Sequence, residues 1–180
     1  SLVADWGYND ADGDTEVGAS ALITWYKNNI NQSSYYNVKT ILTNDLTKGD
    51  VWNYTLQVYD GTNYSLLVNS GEITIQNVPP VVEAASYVNL VISSNEVLTA
   101  SWQYSDSDGD SQITGLANIT WYKNGKYNAS YDNFSTLSAL TKTDNWNYII
   151  QVYDGEDYSS PVNSSVITIR NDIVPIIMFS

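Results

Sequence analysis

The sequence predicts an all-β protein built of two tandem β-sandwiches, and three observations carry that expectation. Asp50 to Gly61, D-V-W-N-Y-T-L-Q-V-Y-D-G, returns as D-N-W-N-Y-I-I-Q-V-Y-D-G at Asp144 to Gly155, so the chain is one unit written twice. Within the stretch Trp52, Tyr54, Leu56 and Val58 fall on one side of a period-two pattern and Asn53, Thr55 and Gln57 on the other, the mark of a half-buried strand. Trp146, Tyr148, Ile150 and Val152 repeat the inward row. No helical periodicity appears anywhere, and 15 Tyr and 6 Trp among many Ser, Thr, Asn, Val and Ile favour strands and turns.

Taken in order, Leu2, Ala4, Trp6 and Tyr8 alternate as a first strand that runs into Asp10-Ala11-Asp12-Gly13-Asp14. The second copy gives Leu98, Ala100, Trp102 and Tyr104, then Asp106-Ser107-Asp108-Gly109-Asp110. Next comes Ile23-Thr24-Trp25-Tyr26-Lys27-Asn28, matched by Ile119 to Asn124, with Ile and Trp facing inward. Asn124-Gly125 marks a tight turn after that strand. The polar stretches 29–46 and 126–140 diverge: the copies are offset by 96 residues at Trp6 and Trp102 but by 94 at Trp52 and Trp146. Drift of that kind is what surface loops tolerate. After each Asp-Gly a further apolar alternation, Ile73 and Ile75 or Ile167 and Ile169, completes a hairpin.

Asn77-Val78-Pro79-Pro80 is a stiff linker, since consecutive prolines hold the backbone extended. The expected boundaries are 1–78 for the first unit and 79–172 for the second, with 173–180 left as a spare strand. Each unit then has roughly seven short strands, the pattern of a sandwich.

Charge narrows the partners. A formal net charge of -13 with only 7 basic residues argues against nucleic acid or an anionic membrane surface, both of which need a basic face. The chain has no Cys and no His, which removes disulfides, thiol chemistry, the usual zinc sites and His-based nucleophilic mechanisms. No window is apolar enough to span a bilayer.

Asp50-x-Trp52-x-Tyr54-x-Leu56 resembles the Asp-x-x-x-Tyr-x-Cys signature around the tyrosine corner of immunoglobulin-like domains, with Leu56 and Ile150 where the cysteine would stand. Trp25 and Trp121 resemble the core Trp of the third strand. In two copies the whole chain is similar to the Ig-like, cadherin-like and PKD-like tandem repeats of archaeal and bacterial surface and filament proteins, in which D-x-D-G-D, W-Y-K-N-G and V-Y-D-G blocks recur. The resemblance implies a secreted, extracellular or cell-surface protein; without Cys each sandwich departs from the antibody type and is held by packing, and acidic clusters that repeat in turns are not expected to be an enzyme's catalytic site.

The acidic loops carry the clearest chemistry. Asp10, Asp12 and Asp14, and again Asp106, Asp108 and Asp110, place carboxylates at every second residue around a Gly, and Ca²⁺ takes six to eight such oxygens. Gly precedes the third Asp here, unlike the EF-hand, and Glu16 follows in the first copy. In an Ig-like sandwich this loop shares an end with Asp154, Glu156, Asp157 and the incoming linker, so an ion there would stiffen a domain junction. Sequons at Asn31, Asn53, Asn63, Asn118, Asn128, Asn133 and Asn163 mark candidate sites for N-linked glycans.

The two copies differ ahead of their first strands. Val81 to Ile92 can supply a strand before Leu98, and nothing comparable stands before Leu2 in this sequence. Pro175-Ile176-Ile177-Met178-Phe179 matches Pro80-Val81-Val82, so Ile176 to Phe179 is expected to complete the first unit of another copy by β-strand addition, giving a head-to-tail, self-associating filament. The same contact inside a longer covalent array is an equal possibility. A carbohydrate-binding or adhesion module is the alternative function; it requires a platform of exposed aromatics, for which Tyr26, Tyr59, Tyr122 and Tyr153 on the outward face are the candidates.

Overall fold

The computed structural model describes residues 1–170, and the chain divides into two compact units, Ser1–Asn77 and Val78–Ser180. The first holds β1 (Leu2–Val3), β2 (Leu22–Lys27), β3 (Ile30–Asn31), β4 (Thr40–Ile41), β5 (Val51–Gln57), β6 (Val68–Asn69) and β7 (Ile73–Thr74). The second begins with β8 (Val81–Tyr87) and then repeats the series as β9 (Leu98–Ser105), β10 (Asn118–Lys123), β11 (Lys126–Tyr127), β12 (Thr136–Leu137), β13 (Asn145–Gln151), β14 (Val162–Asn163) and β15 (Ile167–Thr168). All pairing between these strands is antiparallel, and each unit is a two-layer all-β sandwich.

One layer is the same in both units. In the first, β5 pairs with β2 (Trp25 opposite Tyr54), with β6 (Leu56 opposite Val68) and with β7 (Trp52 opposite Ile73). In the second, Trp121 faces Tyr148, Ile150 faces Val162 and Trp146 faces Ile167. The inward row of the repeated stretch is buried throughout in the second unit (Trp146, Tyr148, Ile150 and Val152), but in the first only Trp52 and Leu56 are buried while Tyr54 and Val58 are half-buried; Trp25 and Trp121 of the facing strand are buried in both. Edge-to-face rings hold this layer, with centroids of Trp25 and Trp52 at 6.2 Å and of Trp121 and Trp146 at 6.1 Å. Each such pair adds about 0.5–1.5 kcal/mol beyond area burial. The β10–β11 turn is Asn124 and Gly125, at φ 52° and 74°, a two-residue hairpin with both central residues left-handed. Its counterpart is Asn28 and Asn29, at 51° and 63°.

The other layer differs between the units. In the second it runs β12-β9-β8, with β8 paired to Ala100–Ser105 of β9 apart from a bulge between Val82 and Ala84. In the first it is only β1 paired with β4. The expected strand from Leu2 to Tyr8 therefore shortens to Leu2–Val3, while its twin spans Leu98–Ser105. Alternation sets which side chains turn inward, but a ladder needs a partner, and among the described residues no strand lies on the β1 edge that β8 occupies on β9.

The tyrosine corner also departs from its prototype. Tyr148 Oη donates across the sandwich to Ser86 and Ser101 carbonyls (2.7 and 2.6 Å), and Tyr54 Oη to that of Asp5 (2.6 Å), so each phenol ties the two layers together. The two-residue deletion falls between Ile41 and Leu46, where the first unit has a 3-10 turn at Thr43–Asp45.

Candidate functional site: an acidic loop and an apolar groove

In the second unit Asp106 organises the acidic loop. Its Oδ1 accepts from the amides of Asp108 (2.8 Å) and Asp110 (3.1 Å), which folds the loop back and turns the three carboxylates toward one another. One oxygen from each of Asp106, Asp108 and Asp110 lies within 4.8 Å of the others. Two oxygens on opposite sides of a calcium ion, each at about 2.4 Å, would stand about that far apart. The remaining Oδ2 of Asp106 is buried with no hydrogen-bond partner, a costly state for a carboxylate oxygen. Val78, the first residue of this unit, donates its amide to Asp108 Oδ2 at 2.7 Å, so the linker residue sits on the same loop. Asp154 is 8% exposed, and its Oδ1 accepts the amides of Glu156 and Asp157 at 2.7 Å each.

The first unit arranges the same residue types differently. Asp10 Oδ1 accepts from the amides of Asp12, Gly13 and Asp14 at 3.0, 3.0 and 3.3 Å. The Asp10 and Asp12 carboxyls hydrogen-bond each other, which lowers the pKa of Asp10 and raises that of Asp12, the latter also through repulsion by Asp10. Asp10 and Asp60 line a small cavity of about 120 Å³ with Asn63, the equivalent of the Asp106 and Asp154 positions. Glu16, tied to the Trp6 indole N–H at 2.9 Å, matches Gln112, which accepts from Trp102 at 3.2 Å.

The groove is the larger difference, and only superposing one copy of the sequence on the other reveals it. In the second unit Val82 faces Tyr104 and Ala85 faces Trp102, and Tyr87 closes the end of the sandwich. The Tyr87 ring is 5% exposed against Trp121 and Tyr148, with Oη 3.0 Å from the Trp146 carbonyl, 2.9 Å from Ser164 Oγ and 2.9 Å from the Ser165 carbonyl. Ile92 follows, 1% exposed, beside Arg170. In the first unit the matching positions surround open space. A cavity of about 110 Å³ is lined by Leu2, Trp25, Trp52, Tyr54, Ser70 and Ile73, and one of about 400 Å³ by Trp6, Tyr8, Leu56, Val58, Ser65 and Val68. Exposure follows suit: Ile73 is 51% exposed where Ile167 is 7%, and Tyr54 is half-buried where Tyr148 is sealed.

Sequence inspection missed a duplicated ion pair, although its Asp begins the repeated stretch. Lys27 pairs with Asp50 and Lys123 with Asp144 (2.7 Å), each ammonium also standing over a Trp ring, Trp52 or Trp146. The side-chain amides of Asn28 and Asn124 donate to the same carboxylates. Hydrogen bonds from Lys123 and Asn124 hold Asp144 below the ordinary value; for Asp50, burial pulls upward and the Lys27 and Asn28 contacts outweigh it.

Of the sequon residues, Asn31, Asn63, Asn118, Asn133 and Asn163 are exposed, and Asn53 and Asn128 are half-buried. Asn133 Oδ1 also accepts from the Ile119 amide, and Asn128 Oδ1 from that of Ser130. The outward tyrosines Tyr59, Tyr153 and Tyr122 pair with Tyr64, Tyr158 and Tyr127, at centroid distances of 4.8, 4.6 and 6.1 Å. Ile176, Ile177, Met178 and Phe179 lie outside the described residues. No helix among the described residues is long and apolar enough to cross a membrane.

No family model and no curated protein matches the chain. Solved structures similar to it are fibronectin type III and Ig-like domains. The FN1-FN3 domains of chicken CNTN1 share 10% identity at a TM-score of 0.39, covering 84% of this chain and 54% of that one, so this chain spans about half its length. A two-domain fibronectin type III segment of chicken tenascin shares 14% at 0.39, covering 88% and 87%. The amphioxus IgVJ-C2 molecule shares 14% at 0.39, covering 93% and 94%.

Proposed function

We propose that this chain is a non-catalytic structural subunit or segment of an extracellular filament, stalk or surface array, joined head-to-tail by β-strand addition, with calcium held by its acidic loops. The observation that carries the reading is the pairing of a filled groove with an open one. Among the described residues β8 covers β9 in the second unit and no strand covers β1 in the first, where a Trp- and Tyr-lined channel faces solvent. Open sheet edges and apolar channels invite an added strand. A contact of that kind is heterologous and repeats without closing, which yields a linear assembly. In this sequence the donor is Ile176 to Phe179. The buried, unpartnered Asp106 oxygen supports a cation at Asp106, Asp108 and Asp110, beside the linker residue Val78. Exposed sequons suit N-linked glycans on such a surface, and the intact mass of native material reads their presence directly.

Deletion of residues 173–180 tests the assembly. Electron microscopy should show filaments for the full chain and dispersed particles for the truncation, and a peptide of the deleted segment should raise the melting temperature of the truncated protein without restoring polymers. Filaments that persist after the deletion would exclude this donor.

A further inference from the structure

We infer that the second unit carries a shallow cleft for a neutral sugar ring, built on Tyr131 and Phe134 and independent of filament assembly and of calcium. The cleft holds about 290 Å³ and is lined by Ser130, Tyr131, Phe134, Thr136, Leu137 and Ser138. That volume stands at the lower end of small-molecule sites, which suits one ring and little more. Tyr131 is half-buried and meets Trp146 edge-on at 5.4 Å, so its ring is held from the core side. Phe134 is 57% exposed although its backbone is fixed, its carbonyl accepting the Trp121 indole N–H at 2.9 Å.

The two copies part company at this place. Val38 accepts the matching bond from Trp25 at 2.8 Å and is half-buried, so the second unit keeps the wiring and puts an exposed ring where the first has a small aliphatic side chain. In the first unit Leu42 to Asp45 join Ile41 to Leu46, and Asp45 accepts a hydrogen bond from the Tyr35 hydroxyl. In the second only Ser138 and Ala139 join Leu137 to Leu140, bending sharply with Ala139 at φ 54°, and that link carries no carboxylate for Tyr131. The chemistry of the lining selects the ligand. The C–H face of a pyranose is apolar and slightly positive, which matches the negative face of an aromatic ring. The Ser130, Thr136 and Ser138 hydroxyls can each donate to or accept from sugar hydroxyls. None of the six lining residues is charged, so a phosphate or an ammonium finds no counter-charge among them. A wholly apolar occupant would strip water from three hydroxyls and return no hydrogen bond.

The test titrates the full 180-residue chain with the methyl glycosides of glucose, galactose, mannose and N-acetylglucosamine. Binding is read by saturation transfer from protein to sugar protons, which works for single chains and for filaments alike. At the efficiency usual for small ligands, the roughly thirteen heavy atoms of a methyl hexoside give a dissociation constant on the order of 1 mM for the best of the four. Phe134→Ala should weaken that binding about tenfold and, because the ring is exposed, melt with its parent. Phe134→Tyr should retain the affinity, Ser138→Ala should weaken it about fivefold, and Val38→Ala in the first unit should leave it unchanged. No transfer to any of the four sugars would overturn the inference. So would a folded Phe134→Ala protein that binds as tightly as its parent, or binding that falls with Val38→Ala.

Discussion

Tyr87→Ala removes the side chain that closes the second sandwich, and the structure sets the size of the loss. The ring is 5% exposed, lies 5.6 Å from Tyr148 and 6.5 Å from Trp121, and carries three oxygen contacts of 2.9 to 3.0 Å. Truncating a buried aromatic to alanine costs about 3–5 kcal/mol, and the hydroxyl alone accounts for about 0.5–1.5 kcal/mol. In a domain of about 100 residues each kcal/mol moves the midpoint by roughly 4–8 °C. Calorimetry should therefore show the second unit's transition falling by on the order of 20 °C for Tyr87→Ala and about 5 °C for Tyr87→Phe. The first unit's transition should remain unmoved in both variants. Burial pushes the Tyr87 hydroxyl up to about 12, with the Ser164 contact opposing and Tyr148 adding to the rise. With its folded value above the ordinary 10.0 of a tyrosine, the hydroxyl's contribution to stability is fully present below pH 10.0 and is lost as pH climbs toward 12. Tyr87→Phe should flatten that alkaline decline. A Tyr87→Ala protein that melts within two or three degrees of its parent, by any probe, would refute the claim that this ring seals the core.

Two further outcomes follow from local geometry. Chelation should lower the second unit's midpoint relative to millimolar calcium: extracellular sites bind at about 10⁻⁴–10⁻³ M, so calcium at about 1 mM adds roughly 0.4–1.4 kcal/mol. Asp106→Asn should abolish the difference, and identical melting with and without chelator would remove calcium from the proposal. Thr143 holds φ 73° where the first unit has Gly49 at 83°, a left-handed position that a β-branched side chain adopts only at a cost. Thr143→Gly should raise the second unit's stability by about 0.5–1 kcal/mol in denaturant melts, and a loss of stability would contradict the strain.

The sequence by itself determined the strands that alternate and the turns that need special backbone. Trp25, Trp52, Trp121 and Trp146 are buried because period two places them on one face, and the Asn124-Gly125 hairpin forms because those residues accept positive φ. Duplication added a second reading of every element. What remained invisible were properties that depend on a partner across the fold. The Leu2–Tyr8 alternation is the same as that of Leu98–Tyr104, yet only the latter becomes a full strand, since a ladder is a relation between two segments. Lys27 and Asp50, or Lys123 and Asp144, stand more than twenty positions apart and meet only because β2 and β5, or β10 and β13, are neighbours. Identical D-x-D-G-D spelling likewise gives a carboxyl pair sharing a hydrogen bond at Asp10 and Asp12, but a converging trio at Asp106, Asp108 and Asp110. Local sequence sets which groups turn toward a site, and the packing of distant segments decides whether that site is filled, sealed or left open.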